Sequence, residues 1–210
     1  MNTIKRIAAI GGAAAVMAAG AATAASADVT GSVEGIFHTG GLGVQCGDHT
    51  VTQGDVTGES DPMLGWFTPS DETAATIDGD GLHFGPSHNG TSLYKRVVVP
   101  LGAVDQSKLG FEATGDKQPA YQLRVLGSES GGMLGFGTVV WDGVDQNGFW
   151  LTGDGPHSGQ ENKGTLAEIA AKNPNAVVVA YGLNQTRDND ATGIVAESIQ
   201  FGCADVTFGG

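Results

Sequence analysis

Cysteine and positive charge are both scarce in this chain, and long apolar runs are confined to its first residues. There are two cysteines and ten lysines plus arginines, against 23 aspartates plus glutamates, in 210 residues. The resulting formal net charge of −13 repels phosphate backbones and anionic lipid headgroups, so neither nucleic acid nor a membrane surface is an expected partner. The acidic residues are scattered rather than clustered, which suits a solvated surface. Two isolated cysteines lack the paired spacing of a zinc site. A G-x-S-x-G nucleophile elbow is missing as well: Gly127-Ser128-Glu129-Ser130-Gly131 carries glutamate at the position the nucleophile would need. The strand–helix alternation of an α/β hydrolase is also lacking. Of the five histidines, His38, His49, His83, His88 and His157, none stands in H-E-x-x-H or another metal-ligand array, and all read as loop histidines.

What is present begins with an export signal. Lys5 and Arg6 precede an uncharged, alanine-rich run from Ile7 to Ala24, and Ala25-Ser26-Ala27 supplies the small residues of a cleavage site before Asp28. The run is near the minimum length for a spanning helix, but its Ala and Gly content and the immediate cleavage motif favour a signal over an anchor. The expected organisation is a signal peptide over residues 1–27 and a single domain over 28–210, secreted and extracellular, with no stable membrane insertion. Loss of Lys5 and Arg6 would take the net charge to about −15.

In an exported protein two cysteines read as one disulfide, here Cys46 with Cys203, tying the start of the domain to its end. A catalytic thiol would be exposed to oxidation in that compartment.

Short apolar segments with period-two texture, separated by Gly, Asp, Asn and Pro, predict an all-β fold: an antiparallel, jelly-roll-like β-sandwich. The strands read most clearly over 92–101, 108–114, 120–126, 137–142, 148–152, 176–183 and 193–201, with weaker ones over 31–38, 64–68 and 81–84. In the 120–126 strand, Tyr121, Leu123 and Val125 form an apolar face against Ala120, Gln122 and Arg124. Asn147-Gly148 predicts a tight hairpin turn in which both residues accept positive φ, and Asp78-Gly79-Asp80-Gly81 reads similarly. Pro100 should sit at a strand end, bulge or edge. One short helix is expected near 165–173, where Thr165 and Glu168 form a capping box and Asn173-Pro174 stops the chain. It should plug one end of the sandwich or bridge its sheets through Leu166 and Ile169.

The segment Leu166–Pro174, followed by Val177–Leu183 and closed by Ile199–Cys203, resembles the C-terminal third of secreted actinobacterial β-sandwich proteins without an assigned activity. Ser92–Leu101 is similar to strands of galactose-binding-like and carbohydrate-binding jelly-roll modules. These resemblances imply a sandwich and a glycan-binding role, and transfer no binding residue.

Rings carry the functional expectation. Sugars present C–H faces that stack on exposed aromatics, so Trp66, Trp150 and Tyr94 are the candidate ligand-binding residues. Adjacent Phe149 and Trp150 must point to opposite faces of their strand, one into the core and the other out, and Trp141 is expected in the core. Asp188-Asn189-Asp190 and Asp78-Gly79-Asp80 offer hard oxygen donors. Calcium at Asp188 and Asp190 is therefore the one metal expectation, set against plain solvated turns, and no other cofactor is expected. Glu112, Glu129 and Glu197 are the carboxylates that would serve glycoside hydrolysis if two of them shared a cleft.

The chain thus reads as a secreted, non-enzymatic binding module for a glycan or cell-surface polymer. A self-associating structural protein of the envelope is the alternative, and an extracellular hydrolase the third reading. Its oligomeric state stays open.

Overall fold

The computed structural model describes residues 44–57, 65–87, 90–115, 117–185 and 193–210, all of which fall within the unit Phe37–Gly210. The signal segment, the strand expected over 31–38, Leu64, His38, His88 and the calcium candidates Asp188 and Asp190 lie outside the described residues.

Along the chain run β1 (Gly47–Val51), β2 (Trp66–Phe67), β3 (Thr73–Ala74), β4 (Thr76–Asp78), β5 (Gly81–Phe84), β6 (Thr91–Pro100), β7 (Leu109–Thr114), β8 (Ala120–Leu126), β9 (Gly137–Trp141) and β10 (Trp150–Leu151). Helix α1 (Leu166–Lys172) precedes β11 (Val177–Gln185), β12 (Ile194–Phe201) and β13 (Ala204–Phe208). The strands form a six-stranded and a seven-stranded sheet. In the first, β12 carries β7 along one side and, along the other, β5 and then β13, which continue to β4 and β1. The second runs β10-β9-β8-β11-β6-β2, with β3 beside the start of β6.

The sandwich expected from the period-two pattern is what forms. Two parallel pairs, β1 with β13 and β3 with β6, add to its antiparallel ladders. Tyr121, Leu123 and Val125 are buried on β8, as are Leu93, Val97 and Val99 on β6 and Ile194, Ala196, Ile199 and Phe201 on β12. Tyr181 stacks on Phe201 at 4.4 Å between the sheets, and the Tyr121 hydroxyl donates to the carbonyl of Gln200 at 2.8 Å. Trp141 is buried and stacks on Phe149 at 5.2 Å.

The helix follows its local signals. Thr165 accepts from the Glu168 N–H, the Glu168 carboxylate accepts from the Thr165 N–H, and Leu166, Ile169 and Ala170 pack into the core. Pro100 ends β6, where its missing N–H costs no ladder bond.

The Asn147-Gly148 expectation is corrected in detail. The reversal between β9 and β10 takes the longer segment 142–149, with the Gly148 N–H donating to the Asp145 carbonyl at 2.8 Å. The positive φ it requires falls on Gly143, at 79°. Phe149 pairs with Gly164 instead of lengthening the hairpin, so β10 is only two residues long.

The Cys46–Cys203 disulfide forms across a separation of 157 residues, with Cα atoms 4.7 Å apart. It fastens the lead-in to β1 onto the turn between β12 and β13, where the Gly47 N–H also donates to the Cys203 carbonyl at 2.8 Å. Among the described residues no helix is long and apolar enough to cross a membrane.

Candidate functional site

Period two decides where the sequence-derived rings go. On β2, Trp66 pairs with Lys95 and turns inward, while Phe67 pairs with Tyr94 and turns outward. Trp66 is 4% exposed, edge-on to Tyr181 at 5.8 Å and to Phe208 at 5.5 Å, so it packs in the core and shows only a small part of its surface to the inter-sheet cavity. Tyr94 is fully buried as well, though on the other side of the sheet. Both are corrected from ligand-stacking candidates to packing residues. Of the three candidates only Trp150 keeps partial exposure; its neighbour Phe149 is in the core, so their opposed orientation holds.

Tyr94 nonetheless organises the outer face of the seven-stranded sheet. The strand registers align Trp150, Val140, Gln122, Gly182, Tyr94 and Phe67 as one row across β10, β9, β8, β11, β6 and β2. Tyr94 reaches along this row over Gly182, where a Cβ would lie 2.7 Å from the ring and 2.1 Å from the Leu93 carbonyl, so only glycine fits. The phenol then donates to Gln122 Oε1 at 2.7 Å. Burial pushes its pKa up to about 12, opposed by the nearby Arg124 guanidinium.

The guanidinium carbon of Arg124, one residue pair along from Gln122, lies over the Tyr94 ring at 4.2 Å and is 6.0 Å from the Phe136 ring. Its Nη2 donates to Glu72 Oε1, while Glu72 Oε2 accepts from Asn184 Nδ2 at 2.9 Å. Glu72 sits on the strap between β2 and β3, so this network clamps the strap over the small outer cluster of Phe67, Tyr94 and Ala180. Thr68 adds a hydrogen bond to the Ser92 carbonyl at 2.7 Å, and Arg96 lies over Phe67 at 4.0 Å. With that end of the face covered, the remaining open strip is carried by β8, β9 and β10. Gln122, Arg124, Thr138 and Trp150 are partly exposed there, and Phe136, which immediately precedes β9, is 37% exposed.

A second concave feature lies between the sheets, where β1 and β13 face β2 and β6. This cavity of about 390 Å³ has an apolar side formed by Val51, Trp66, Tyr181 and Val206, and a polar side that includes His49, Asp55 and Lys95. Lys95 is the charged exception on the inward face of β6. Burial lowers its pKa, with Asp55 opposing that shift. Asp55 is itself held below the usual carboxylate range by the backbone N–H and then the hydroxyl of Thr52, both at 2.8 Å.

The remaining sequence-derived residues do not converge. Glu112, Glu129 and Glu197 are exposed and none lines the cavity. His49 is held near the Gln45 carbonyl at 3.0 Å, His83 is 2.7 Å from Asp78, and His157 is 3.8 Å from Glu129. Asp78 also accepts from the Asp80 N–H, which makes that cluster a hydrogen-bonded turn. Among the described residues no group of three or more His, Cys, Asp or Glu is placed to hold a metal.

The alternation along β8 places Gln122 and Arg124 on its polar face and gives them no further role. Phe136 carries no signal of its own in the sequence, because it lies in a glycine-rich stretch without periodicity.

The class defined by fold and surface is a disulfide-closed β-sandwich with an open polar–aromatic strip on one sheet. No family model, curated protein or solved structure matches the chain.

Proposed function

We propose that the protein is a secreted, non-catalytic binding module that holds an extended, uncharged glycan along the outer face of β8, β9 and β10. The observation that carries this reading is the strip itself. Phe136 and Trp150 stand at two corners of it, about 14 Å apart by strand rise and spacing, with Thr138 of β9 between their levels and the planar polar groups of Arg124 and Gln122 alongside on β8. Aromatic faces take the apolar sides of sugar rings, and guanidinium and amide groups take hydroxyls. The sheet beneath fixes these groups before any ligand arrives, so little ordering cost is left for binding. A net charge of −13 disfavours anionic polymers, which is why the ligand is uncharged. Export rests on the basic, apolar and small-residue sequence of residues 1–27, and a disulfide is compatible with it.

The test is retention of the disulfide-closed protein on insoluble cellulose, chitin, xylan and mannan. Retention on at least one polymer is expected, with Trp150→Ala weakening it roughly tenfold and Trp150→Ala/Phe136→Ala abolishing it, as for a pair of anchor rings. Absence of retention on every polymer, or a double variant retained like the parent, overturns the reading.

A further inference from the structure

The carboxylate of Glu72 sets the directions of a hydrogen-bond relay that crosses the outer face of the seven-stranded sheet. A carboxylate only accepts, so Arg124 Nη2 and Asn184 Nδ2 are its donors, the latter at 2.9 Å. The same two side chains also present N–H groups to the phenol oxygen of Tyr94. Because that oxygen receives from both, Tyr94 has one proton to give, and it goes to Gln122 Oε1 at 2.7 Å. A phenol whose pKa is pushed up to about 12 keeps this proton at neutral pH. The relay therefore ends on the Gln122 amide and settles its orientation. Oε1 is used by Tyr94, and Nε2, on the other branch of the amide, is left for the open strip, where Gln122 is partly exposed.

The strip consequently offers donors. Gln122 gives Nε2, Arg124 gives guanidinium N–H groups, and the partly exposed Trp150 gives its indole N–H. The one acceptor of the Gln122 side chain is taken by Tyr94, and both oxygens of Glu72 are taken by Arg124 and Asn184. Thr138 adds a hydroxyl, which serves either way. A sugar hydroxyl that accepts from such a surface still has its own O–H to place, whereas a carbonyl oxygen only accepts and is satisfied by donors alone. Among uncharged glycans, the substituent that carries a carbonyl is the acetamido group of N-acetylated sugars.

The neighbour of Gln122 suits the other end of that group. Val140 pairs with Gln122 in the same row, one strand spacing of about 5 Å away, and Trp150 is next beyond it. Val140 lies on the outer face of the sheet and is 7% exposed. An acetamido group laid across this row sets its carbonyl oxygen on Gln122 Nε2 and its methyl over Val140 and the edge of Trp150, so that its polar and apolar ends each meet a like surface.

On the reading of the strip as a glycan seat, we infer that the polymer it holds is N-acetylated, with Gln122 donating to the acetamido carbonyl and Tyr94 as the positioning residue that keeps this donor turned outward.

The test is isothermal titration calorimetry of the full disulfide-closed chain with β-1,4-linked oligomers of N-acetylglucosamine and of glucose, equal in length and differing only at the acetamido position. The acetylated oligomer should bind about tenfold more tightly, as one added hydrogen bond and a covered methyl would give. Tyr94→Phe frees the Gln122 amide to turn over and should bring the two affinities close to parity, chiefly by weakening the acetylated oligomer. Gln122→Glu keeps an acceptor for Tyr94 and replaces the Nε2 donor with an acceptor, so it should do the same. A role for either residue in the fold alone would weaken both oligomers alike and leave their ratio unchanged.

A glucose oligomer that binds the parent as tightly as the acetylated one overturns the inference, as does a tenfold preference that survives in a folded Tyr94→Phe or Gln122→Glu chain. Near-UV circular dichroism identifies a variant that has lost its fold; the other then carries the comparison, and the ratio for the parent is decisive by itself. Retention on cellulose, xylan or mannan without binding of the acetylated oligomer overturns the N-acetyl assignment and leaves the glycan seat standing, whereas absence of binding to every polymer and both oligomers removes the seat itself.

Discussion

Native protein at about pH 10.5 should show almost no tyrosinate absorbance at 295 nm, although free tyrosine is then mostly ionised. All three tyrosines of the chain are buried. Burial pushes Tyr94 up to about 12 and raises Tyr121 and Tyr181 well above the ordinary value of 10.0. A group whose folded pKa is raised holds its proton longer than the unfolded chain does, so stability is intact below pH 10 and falls as pH rises toward and through the folded pKa. For Tyr94 alone the loss between about pH 10 and 12 is roughly 3 kcal/mol, at about 1.36 kcal/mol per unit. The other two add to it. Tyrosinate absorbance should therefore appear as a single cooperative step, coincident with loss of far-UV strand signal. A smooth titration centred near pH 10, with the strand signal unchanged, would show that these rings are open to solvent and the described core is wrong.

Reduction of the disulfide should have a comparable effect at neutral pH. Cys46 and Cys203 are separated by 157 residues, and in chain-entropy terms opening a loop of that size returns about 5 kcal/mol of freedom to the unfolded state. Stabilities of single domains run from about 5 to 15 kcal/mol, so the Cys46→Ser/Cys203→Ser variant should lose a large fraction of its stability, read as a drop in urea midpoint together with a steeper slope, because the opened chain exposes more surface when unfolded. The local reason is that, among the described residues, β1 pairs with β13 alone, and the bond fixes its lead-in beside the β12–β13 turn. An unchanged midpoint would mean that the backbone ladder alone holds this edge.

Much of the fold was legible where one face of a strand is buried and the other is not, with β13 the exception: its Ala204, Val206 and Phe208 alternate with Asp205 and Thr207 over too short a run beside the chain end to stand out. On β8 the alternation of Tyr121, Leu123 and Val125 with Gln122 and Arg124 predicted both the strand and its orientation, and the Thr165–Glu168 box predicted α1 to within a residue of its ends. Strands β1, β3, β4 and β13 escaped notice. Two or three residues show no period, and β1 reads Gly-Asp-His-Thr-Val, a sequence whose strand character comes from its partner rather than from itself.

The same physics governs the site. Trp66 and Phe67 form a two-residue strand, so nothing local says which ring faces the core; the register with Lys95 and Tyr94 decides it, and that register is a long-range fact. Tyr94 looked available because its role depends on Gly182 and Gln122, distant in sequence and brought beside it by the order of β8, β11 and β6. Trp150 was legible because opposed neighbours on a strand need only local geometry.

The strip on β8, β9 and β10 is the proposed seat of the glycan. A titration of ¹⁵N-labelled protein with a soluble oligosaccharide of whichever polymer retains it, followed by two-dimensional NMR, tests that most directly. Shifts should be confined to the Trp150 indole N–H, the Gln122 and Arg124 side chains and the backbone amides of Phe136 and Thr138, with the amides of Thr50, Val51 and Val206 around the inter-sheet cavity unmoved. Shifts centred on the cavity, with the Trp150 indole unchanged, would contradict it.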